Sequence, residues 1–327
     1  MMTFFDISRL LPFFTFNYTL RTGGRRRQHP RERGKLKRKQ WREHGVGVSR
    51  VERRVAYLSR VFPWLSDLFR AYSDITRMSG KGGGARWDPP GPVEVLVGER
   101  VKRGFPLLRA EEVSIDAEAL RELSVYVLTV LSRWSGIMSD LLDSALSGRI
   151  PFPEAAMRFL ARDERYFERD LSLDEVRTES LFFVLARALN PQMRGLVREL
   201  RDHLEGVPWE EAFCPVCGFL PLVGFFPATA RGNRTELNLV CSLCENFWVH
   251  PPRRCLLCGA GEEGDFLTFH GRGGFVRCCL SCNSYVKFIT VESPPDEASF
   301  PLEDMATVTL DIRANNLGFS RRGVFRV

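Results

Sequence analysis

Eight of the nine cysteines in this 327-residue chain form four Cys-X-X-Cys pairs. Two intervening residues allow both thiolates of a tight turn to reach one ion at about 2.3 Å, and a second such turn completes a tetrahedron. Gly218 and Gly259 directly follow their pairs and supply the backbone freedom that such turns require. Four pairs predict two metal ions per chain, bound by consecutive pairs, with an interleaved arrangement as the alternative. The pairs are Cys214/Cys217, Cys241/Cys244, Cys255/Cys258 and Cys279/Cys282.

A metal ion held by four thiolates has no open coordination position. Catalytic zinc keeps one position free for water or substrate, so this pattern predicts a protein that is not an enzyme. Iron and zinc both accept four thiolates, so the pattern does not distinguish between the two metals. His250 and His270 lie near the pairs, and we expect them to be exposed loop or strand residues rather than ligands. The sequence contains no GxGxxG, GxxxxGK[ST], GxSxG or HExxH motif, and the glycine run GKGGGAR at 80–86 is expected to be a linker.

The part of the chain before Pro208 has the apolar spacing of helices. Apolar residues recur every three or four positions in several segments, and Asp, Asn and Pro stand where helices begin. An all-helical region is therefore predicted, with its apolar stripes forming the core of a bundle. The predicted helices are 51–78 with a kink or a new start at Pro63, a helix capped by Asp116, Asp174–Leu189, and Pro191–Leu204 capped by Asn190.

After Pro208, short β-rich runs alternate with glycine and cysteine turns. Each set of two cysteine turns is expected to hold one small sheet together. Because such a sheet buries little apolar surface, metal binding would supply much of its folding free energy. A final helix is predicted over Leu302–Leu317, with Met305, Val308 and Ile312 packed on the second module. The predicted strands are Phe219–Phe226, Glu236–Val240, Phe266–His270 and Tyr285–Val291.

These elements predict an α+β multidomain protein. An all-α N-terminal domain would be followed by two four-cysteine metal modules of the zinc-ribbon or rubredoxin type and a C-terminal helix. The expected divisions are a basic, disordered extension over 1–50, a helical domain over 51–208, a first module over 209–253, and a second module with the C-terminal helix over 254–327.

The net charge of +7 is concentrated near the N-terminus. Residues 21–42 contain eleven Lys or Arg and one acid, so the rest of the chain has a net charge of −3. Such a tail could contact any polyanion, or it could result from a wrongly assigned translation start. The first twenty residues are apolar but interrupted by Asp6, Arg9 and Pro12, so we do not expect an integral membrane protein. The sequence has no usual signal peptide, and thiols in metal spacing persist best in a reducing compartment, so a cytoplasmic location is predicted.

Four segments of the sequence resemble the formate dehydrogenase accessory protein (FdhE) family. They are CPVCGFLP at 214–221, CSLCENFW at 241–248, CNSYVKFI at 282–289 and LEDMATVTLDIRANNLGF at 302–319. The Trp after the second pair, the YxK after the fourth, and the LxDxAxxxLD helix are more specific than any cysteine pair. The resemblance extends from about Trp209 to Phe319, is weaker over 92–204, and does not include the first 50 residues.

Membership of this family would imply a non-catalytic cytoplasmic factor that is needed to form active formate dehydrogenase. Such a factor contacts the catalytic subunit of the enzyme and carries rubredoxin-like iron. The ligands carried over by the resemblance are Cys214, Cys217, Cys241 and Cys244 in one site and Cys255, Cys258, Cys279 and Cys282 in the other. Cys278 departs from the family pattern, and it is expected to be either a passive small side chain or a thiol able to replace Cys279.

Two other functional hypotheses stay open from the sequence. Iron bound by four thiolates is redox-active, so the chain could be a rubredoxin-like electron carrier or redox sensor. A zinc-ribbon protein could also bind nucleic acid through the basic tail, although the acidic body of the chain counts against this. The family resemblance favours the maturation factor, with a formate dehydrogenase catalytic subunit as its partner and no small-molecule substrate.

Overall fold

The computed structural model describes residues 50–79, 84–226, 237–250, 254–261, 264–290 and 299–321. The basic extension predicted for the N-terminus lies outside these ranges apart from Arg50, as do residues 80–83 of the predicted linker.

Helices make up most of the described chain before Pro208. The first helix ends before Pro63, and a 3-10 turn, Pro63–Leu65, leads into a second helix, so the new start is the alternative at Pro63 that the structure has. Asp116 caps the fourth helix as predicted, because its carboxylate accepts a hydrogen bond from the Ala119 N–H at 3.0 Å. The helices are α1 Arg50–Val61, α2 Ser66–Ser79, α3 Val93–Glu99, α4 Ala117–Leu131, α5 Gly136–Leu146, α6 Phe152–Leu160 and α7 Glu175–Leu204, and the short strands β1 Arg86–Trp87 and β2 Val113–Ser114 pair with each other.

The long helix α7 runs through Pro191 without a break, so the two separate helices predicted here are wrong. A proline inside a helix costs about 3 kcal/mol, because it removes one N–H and crowds the preceding turn. Contacts on both sides of Pro191 offset this cost. The Gln192 side chain exchanges two hydrogen bonds with the backbone of Asp116, at 2.9 and 3.1 Å, and the Asn190 amide donates to the Leu243 carbonyl at 2.7 Å.

One seven-stranded sheet contains both cysteine modules, rather than the two separate small sheets that were predicted. Its strands are β3 Pro221–Phe225, β4 Leu237–Cys241, β5 Phe247–His250, β6 Phe266–Gly271, β7 Gly274–Cys279, β8 Ser284–Ile289 and β9 Ser320–Arg321. Their order across the sheet is β5-β4-β3-β8-β7-β6, and β9 pairs with β8. The two modules are joined by a short parallel pairing of β3 with β8, in which Gly224 lies opposite Phe288 and Phe225 lies opposite Ile289. All four predicted strands are present with small shifts at their ends, while β5, β7 and β9 were not predicted.

The predicted C-terminal helix is divided into α8, Phe300–Ala306, and α9, Val308–Asn316. The break falls at Thr307, whose hydroxyl donates to the carbonyls of Glu303 and Asp304 at 2.9 and 3.0 Å.

The packing predicted for this C-terminal segment is also wrong. Met305, Val308 and Ile312 pack with apolar residues of α1 and α2, not with the second module. Leu310 and Ala314 instead pack against β6, β7 and β8. The segment therefore lies between the N-terminal helices and the sheet, and its two sides face different partners.

The main apolar core is continuous from the helices into the first cysteine module. It includes side chains from α2 to α7 together with the four cysteines Cys214, Cys217, Cys241 and Cys244. None of the helices in the described ranges is long and apolar enough to cross a membrane.

Candidate metal centres

The first four cysteines come together at one end of the sheet, as sequential pairing predicts. Their sulfur atoms all lie within 4.8 Å of one another, and the measured Sγ–Sγ distances are 3.4, 3.5 and 3.7 Å. Four ligands at about 2.3 Å from a tetrahedral ion would be separated by about 3.8 Å. The group therefore has the dimensions of a four-thiolate metal site. Its members are Cys214, Cys217, Cys241 and Cys244.

The other four cysteines form a second group with the same dimensions. Cys255 lies 3.7 Å from Cys282, and Cys258 lies 3.7 Å from Cys279, measured between the sulfur atoms. These distances are far longer than a disulfide bond, and all nine thiols are free. The two groups use consecutive pairs, so the interleaved arrangement is not the one in this structure.

The residue after each Cys-X-X-Cys pair has a left-handed backbone. Gly218 and Gly259 have φ values of 76° and 78°, which explains why glycine follows these two pairs. Glu245 and Asn283 occupy the same position after the other two pairs, at 56° and 52°. Asn tolerates this conformation, whereas for Glu it carries a cost. The residue directly after each pair needs a left-handed backbone, which glutamate rarely adopts. Its position after the second cysteine of a pair could therefore have marked Glu245 as unusual from the sequence alone.

Replacing Gly218 by Ala should destabilise the protein more than replacing Gly259 by Ala. Both changes force a side chain into the left-handed region, at a cost of about 1–2 kcal/mol. At Gly218 the new Cβ would also lie 2.3 Å from the Arg162 guanidinium and 3.0 Å from Pro106, whereas nothing lies within 4 Å at Gly259. Thermal unfolding of the two variants measures the difference. Equal shifts in the midpoint would contradict the close packing at Gly218.

Residues of the helical region hold the first centre from several sides. The N–H groups of Leu107 and Leu108 donate to the carbonyls of Pro215 and Val216, at 2.8 and 2.9 Å, inside the first turn. Arg162 donates to the Gly218 carbonyl at 3.0 Å. From α7, Arg187 donates to the Ser242 carbonyl at 2.8 Å, and Asn190 donates to Leu243. The first centre is therefore part of the interior of the protein.

The second centre lies at the surface. Cys258 is exposed and Cys282 is half-buried, while Cys255 and Cys279 are buried. Leu280, between the two cysteines of the fourth pair, is 51% exposed. The two centres thus have similar dimensions but very different access to solvent and to other proteins.

Burial and mutual contact shift the thiol pKa values in both groups. In the first, burial together with the neighbouring Cys214 raises the pKa of Cys217 and Cys244 well above the ordinary value. In the second, burial raises the pKa of Cys255 to about 12. Burial also acts on Cys279, but the N–H groups of Cys282 and Ser281 outweigh it and lower its pKa to about 7. A metal ion bound here would displace protons, so its affinity would rise with pH.

The other sequence candidates lie outside both groups. His250 is in strand β5 and His270 in β6, as expected for strand residues, but His250 is buried rather than exposed, and burial lowers its pKa. Cys278 is fully buried on the side of the sheet that faces α9, where burial raises its pKa to about 12. Cys279 and Cys278 are adjacent in β7, and side chains of adjacent residues in a strand point to opposite faces. This placement favours the passive role for Cys278.

Residues of the YxK and LxDxAxxxLD motifs, beside the second centre, form a buried network of charges with Arg321. Lys287, which is 1% exposed, donates to the Asp304 carbonyl and approaches its carboxylate, both at 2.8 Å, and it also donates to Asp311. The Tyr285 hydroxyl donates to Asp311 at 2.9 Å. Arg321 forms two hydrogen bonds with the Asp304 carboxylate, at 2.9 and 3.1 Å. The YxK and LxDxAxxxLD motifs are therefore contact partners that join β8 to α8, α9 and β9.

The comparisons with known proteins agree with these features. A protein FdhE homologue from Aquifex aeolicus is 30% identical over 158 residues, which are 47% of this chain and 52% of that protein. A homologue from Stutzerimonas stutzeri is 34% identical over 116 residues, which are 35% of this chain and 37% of that protein. One from Pectobacterium atrosepticum is 31% identical over 137 residues, which are 41% of this chain and 42% of that protein. The chain therefore matches about half or less of the length of these curated relatives. No family model matches the chain.

A solved structure has the same fold. The crystal structure of the FdhE protein from Pseudomonas aeruginosa aligns with 84% of this chain and 93% of its own chain, with a TM-score of 0.56 and 19% sequence identity. The predicted fold class is confirmed by this likeness together with the helical region, the two four-cysteine groups and the C-terminal helices. Sequence relatives and fold together confirm the resemblance of this chain to the FdhE family.

Proposed function

We propose that the chain is an accessory factor for the formation of active formate dehydrogenase, and that each four-cysteine group holds one metal ion. The observation that supports this proposal is the combination of FdhE relatives with two complete groups of four cysteine sulfurs. The partner would be the catalytic subunit of the enzyme, and the free thiols suit a reducing cytoplasm. A metal held in this way stabilises the turns and, if it is iron, also accepts and releases an electron.

The chain's own residues suit a binding role better than a catalytic one. Four thiolates around each ion would leave no position for water or substrate, so the centres would not act as Lewis acids toward a substrate. The second module carries an exposed apolar side chain, Leu280, between Cys279 and Cys282, which belong to the same four-cysteine group as the exposed Cys258. Exposed apolar side chains beside a rigid metal site offer a surface on which a protein partner can dock.

An electron carrier or redox sensor is the second candidate, and one observation favours it. The second centre reaches the surface at Cys258, whereas the first is enclosed. Electron transfer to a partner requires a short path from the metal to the surface, which the second centre alone provides. The nucleic-acid hypothesis rests on residues 1–50, most of which lie outside the described ranges.

Metal content and colour decide between iron and zinc. We expect two ions per chain, with iron in at least one centre and visible thiolate-to-iron absorption in protein purified quickly from iron-replete cells. A colourless preparation with two zinc ions would leave the sites structural and would remove the electron-carrier candidate.

Formate oxidation in a host that lacks this protein tests the proposed function. The full chain and a variant without residues 1–48 should restore activity, whereas Cys217→Ser and Cys258→Ser should lose most of it. Cys278→Ala is the matched control, because it removes a cysteine outside both groups, and it should behave like the full chain. Normal formate oxidation in the host without this protein, under conditions that express the enzyme, would refute the maturation role.

A further inference from the structure

A cleft of about 240 Å³ lies between helices α2 and α7, and three arginines line it. Arg187, Arg194 and Arg198 follow one another along α7 at spacings of seven and four residues, which places them on one face of the helix. Tyr72 and Thr76 contribute from α2 on the other side. We call this feature the arginine cleft.

The arginine cleft borders the first metal centre. Arg187 is buried and donates to the Ser242 carbonyl, and Asn190, which also lines the cleft, donates to the Leu243 carbonyl. Ser242 and Leu243 are the two residues between Cys241 and Cys244. The backbone of the second cysteine turn therefore fixes the positions of Arg187 and Asn190, so that these two side chains are held in place before a ligand arrives.

The charges of the cleft are not balanced. Arg194 pairs with Glu245 at 3.3 Å, and the Glu245 side chain is 8% exposed. Arg198 is exposed and forms no ion pair with another described residue. Three guanidinium groups and one carboxylate give a net charge of +2. Because Ile75 and Pro191 supply apolar walls, this charge is only partly screened by solvent.

Glu245 is the residue with the unfavourable left-handed backbone, at φ 56°. Its side chain nevertheless points into the protein and pairs with Arg194. Left-handed non-glycine residues occur preferentially at functional sites, where the surrounding structure compensates for their cost. Here the strained residue forms an ion pair with Arg194, which partly offsets the positive charge of that arginine at the cleft.

We propose that the arginine cleft is a binding site for a small molecule that carries a phosphate group. A phosphate monoester is a dianion at neutral pH, which matches the net charge of the cleft. Arginine forks bind phosphate oxygens in pairs, and Tyr72 and Thr76 line the opposite wall. The volume is below the range of about 300–1,000 Å³ that drug-sized ligands occupy, so the ligand is small.

Calorimetric titration of the full chain with glycerol 3-phosphate at low ionic strength tests the proposal without reference to formate dehydrogenase. Arg198→Gln and Arg194→Gln should each raise the Kd on the order of tenfold, the loss of about one charge-assisted hydrogen bond. Arg121→Gln, an exposed change on α4 outside the cleft, should leave the Kd unchanged. Glu245→Gln should lower the Kd by roughly threefold, since it releases Arg194.

The expected changes in Kd have opposite signs, because Arg194→Gln should weaken binding and Glu245→Gln should strengthen it. Misfolded variants would lose binding in both cases, so the opposite changes distinguish a specific site from general damage to the fold. Inorganic phosphate distinguishes a free ion from an ester: tighter binding of inorganic phosphate would make the free ion the ligand class. The proposal is overturned by absence of binding at millimolar glycerol 3-phosphate, or by an equal effect of Arg121→Gln. It is also overturned if tetraglutamate binds more tightly through the same arginines, since the cleft would then recognise an acidic peptide.

Discussion

Replacing Cys217 by Ser should unfold most of the protein, whereas replacing Cys258 by Ser should open only the second cysteine turns. The four cysteines of the first centre lie in the main apolar core, together with side chains from α2 to α7. Binding of a structural metal contributes on the order of 10 kcal/mol or more, which is comparable to the whole stability of a domain. Loss of the first metal would therefore remove support from the helices as well as from the sheet.

The second centre has less of the fold attached to it. Cys258 is exposed, and the strands beside this centre are also held by the charge network of Lys287 and by the apolar side chains of α9. Loss of this metal should leave β6, β7 and β8 paired and should expose mainly the turn segments at 254–261 and 279–282.

Limited proteolysis and metal analysis measure this difference. Cys258→Ser should retain one ion per chain, whereas Cys217→Ser should retain at most one if it can be purified. Cys258→Ser should be cut first near its second-centre turns and leave a protected fragment that contains the helices and the first centre, while Cys217→Ser should be degraded throughout. Cys278→Ala is the control for loss of a buried thiol. Equal protection of the two serine variants would contradict the view that the first centre is integral to the core.

The assembly of eight cysteines into two groups of four could be predicted from the sequence, whereas the surroundings of the groups could not. Two residues between cysteines are enough to predict a metal-binding turn, and the observed grouping is the first of the two arrangements, consecutive and interleaved, that the sequence allows. The difference in burial depends on contacts between distant residues, such as Leu107 with Pro215 and Arg162 with Gly218. No local pattern in the sequence carries that information.

Two local rules were overridden by tertiary contacts. Pro191 predicted the start of a new helix, but hydrogen bonds made by Asn190 and Gln192 keep α7 continuous. The apolar stripe of Met305 and Val308 was assigned to the second module, yet these two residues, on either side of the break at Thr307, pack on the N-terminal helices. In both cases helical periodicity identified a buried face correctly, without indicating which partner covers it.

The YxK and LxDxAxxxLD motifs stood out in the sequence only through resemblance, and the structure gives them a physical role. Lys287 and Asp311 belong to different motifs and meet in the interior. Burial raises the pKa of Asp304, but the charges of Arg321 and Lys287 outweigh it and hold the pKa below its ordinary value. The stability that Asp304 contributes is therefore present above its unfolded pKa near 3.8 and is lost as the pH falls through the lower folded value.

Replacing Lys287 by Met should destabilise the protein by about 3–5 kcal/mol, the typical cost of removing one partner from a buried ion pair. Two buried carboxylates, Asp304 and Asp311, would then share a single cation, Arg321, whose nearest approach to Asp311 is 3.6 Å. One carboxyl group would have to take up a proton. The loss of stability should therefore be largest at neutral pH and smaller below the pKa of that carboxyl group. This is the opposite of the general trend, in which acid destabilises a protein.

Urea unfolding of the variant at pH 7 and pH 5 measures both effects, and Lys102→Met supplies the control because Lys102 is exposed. The double variant Lys287→Met with Asp311→Asn removes one charge of each sign and leaves Asp304 with its two hydrogen bonds from Arg321. It should recover part of the lost stability, because the uncompensated carboxylate is gone. If Lys287→Met unfolds within about 0.5 kcal/mol of Lys102→Met, the range of ordinary surface substitutions, the network does not hold α8 and α9 on the sheet.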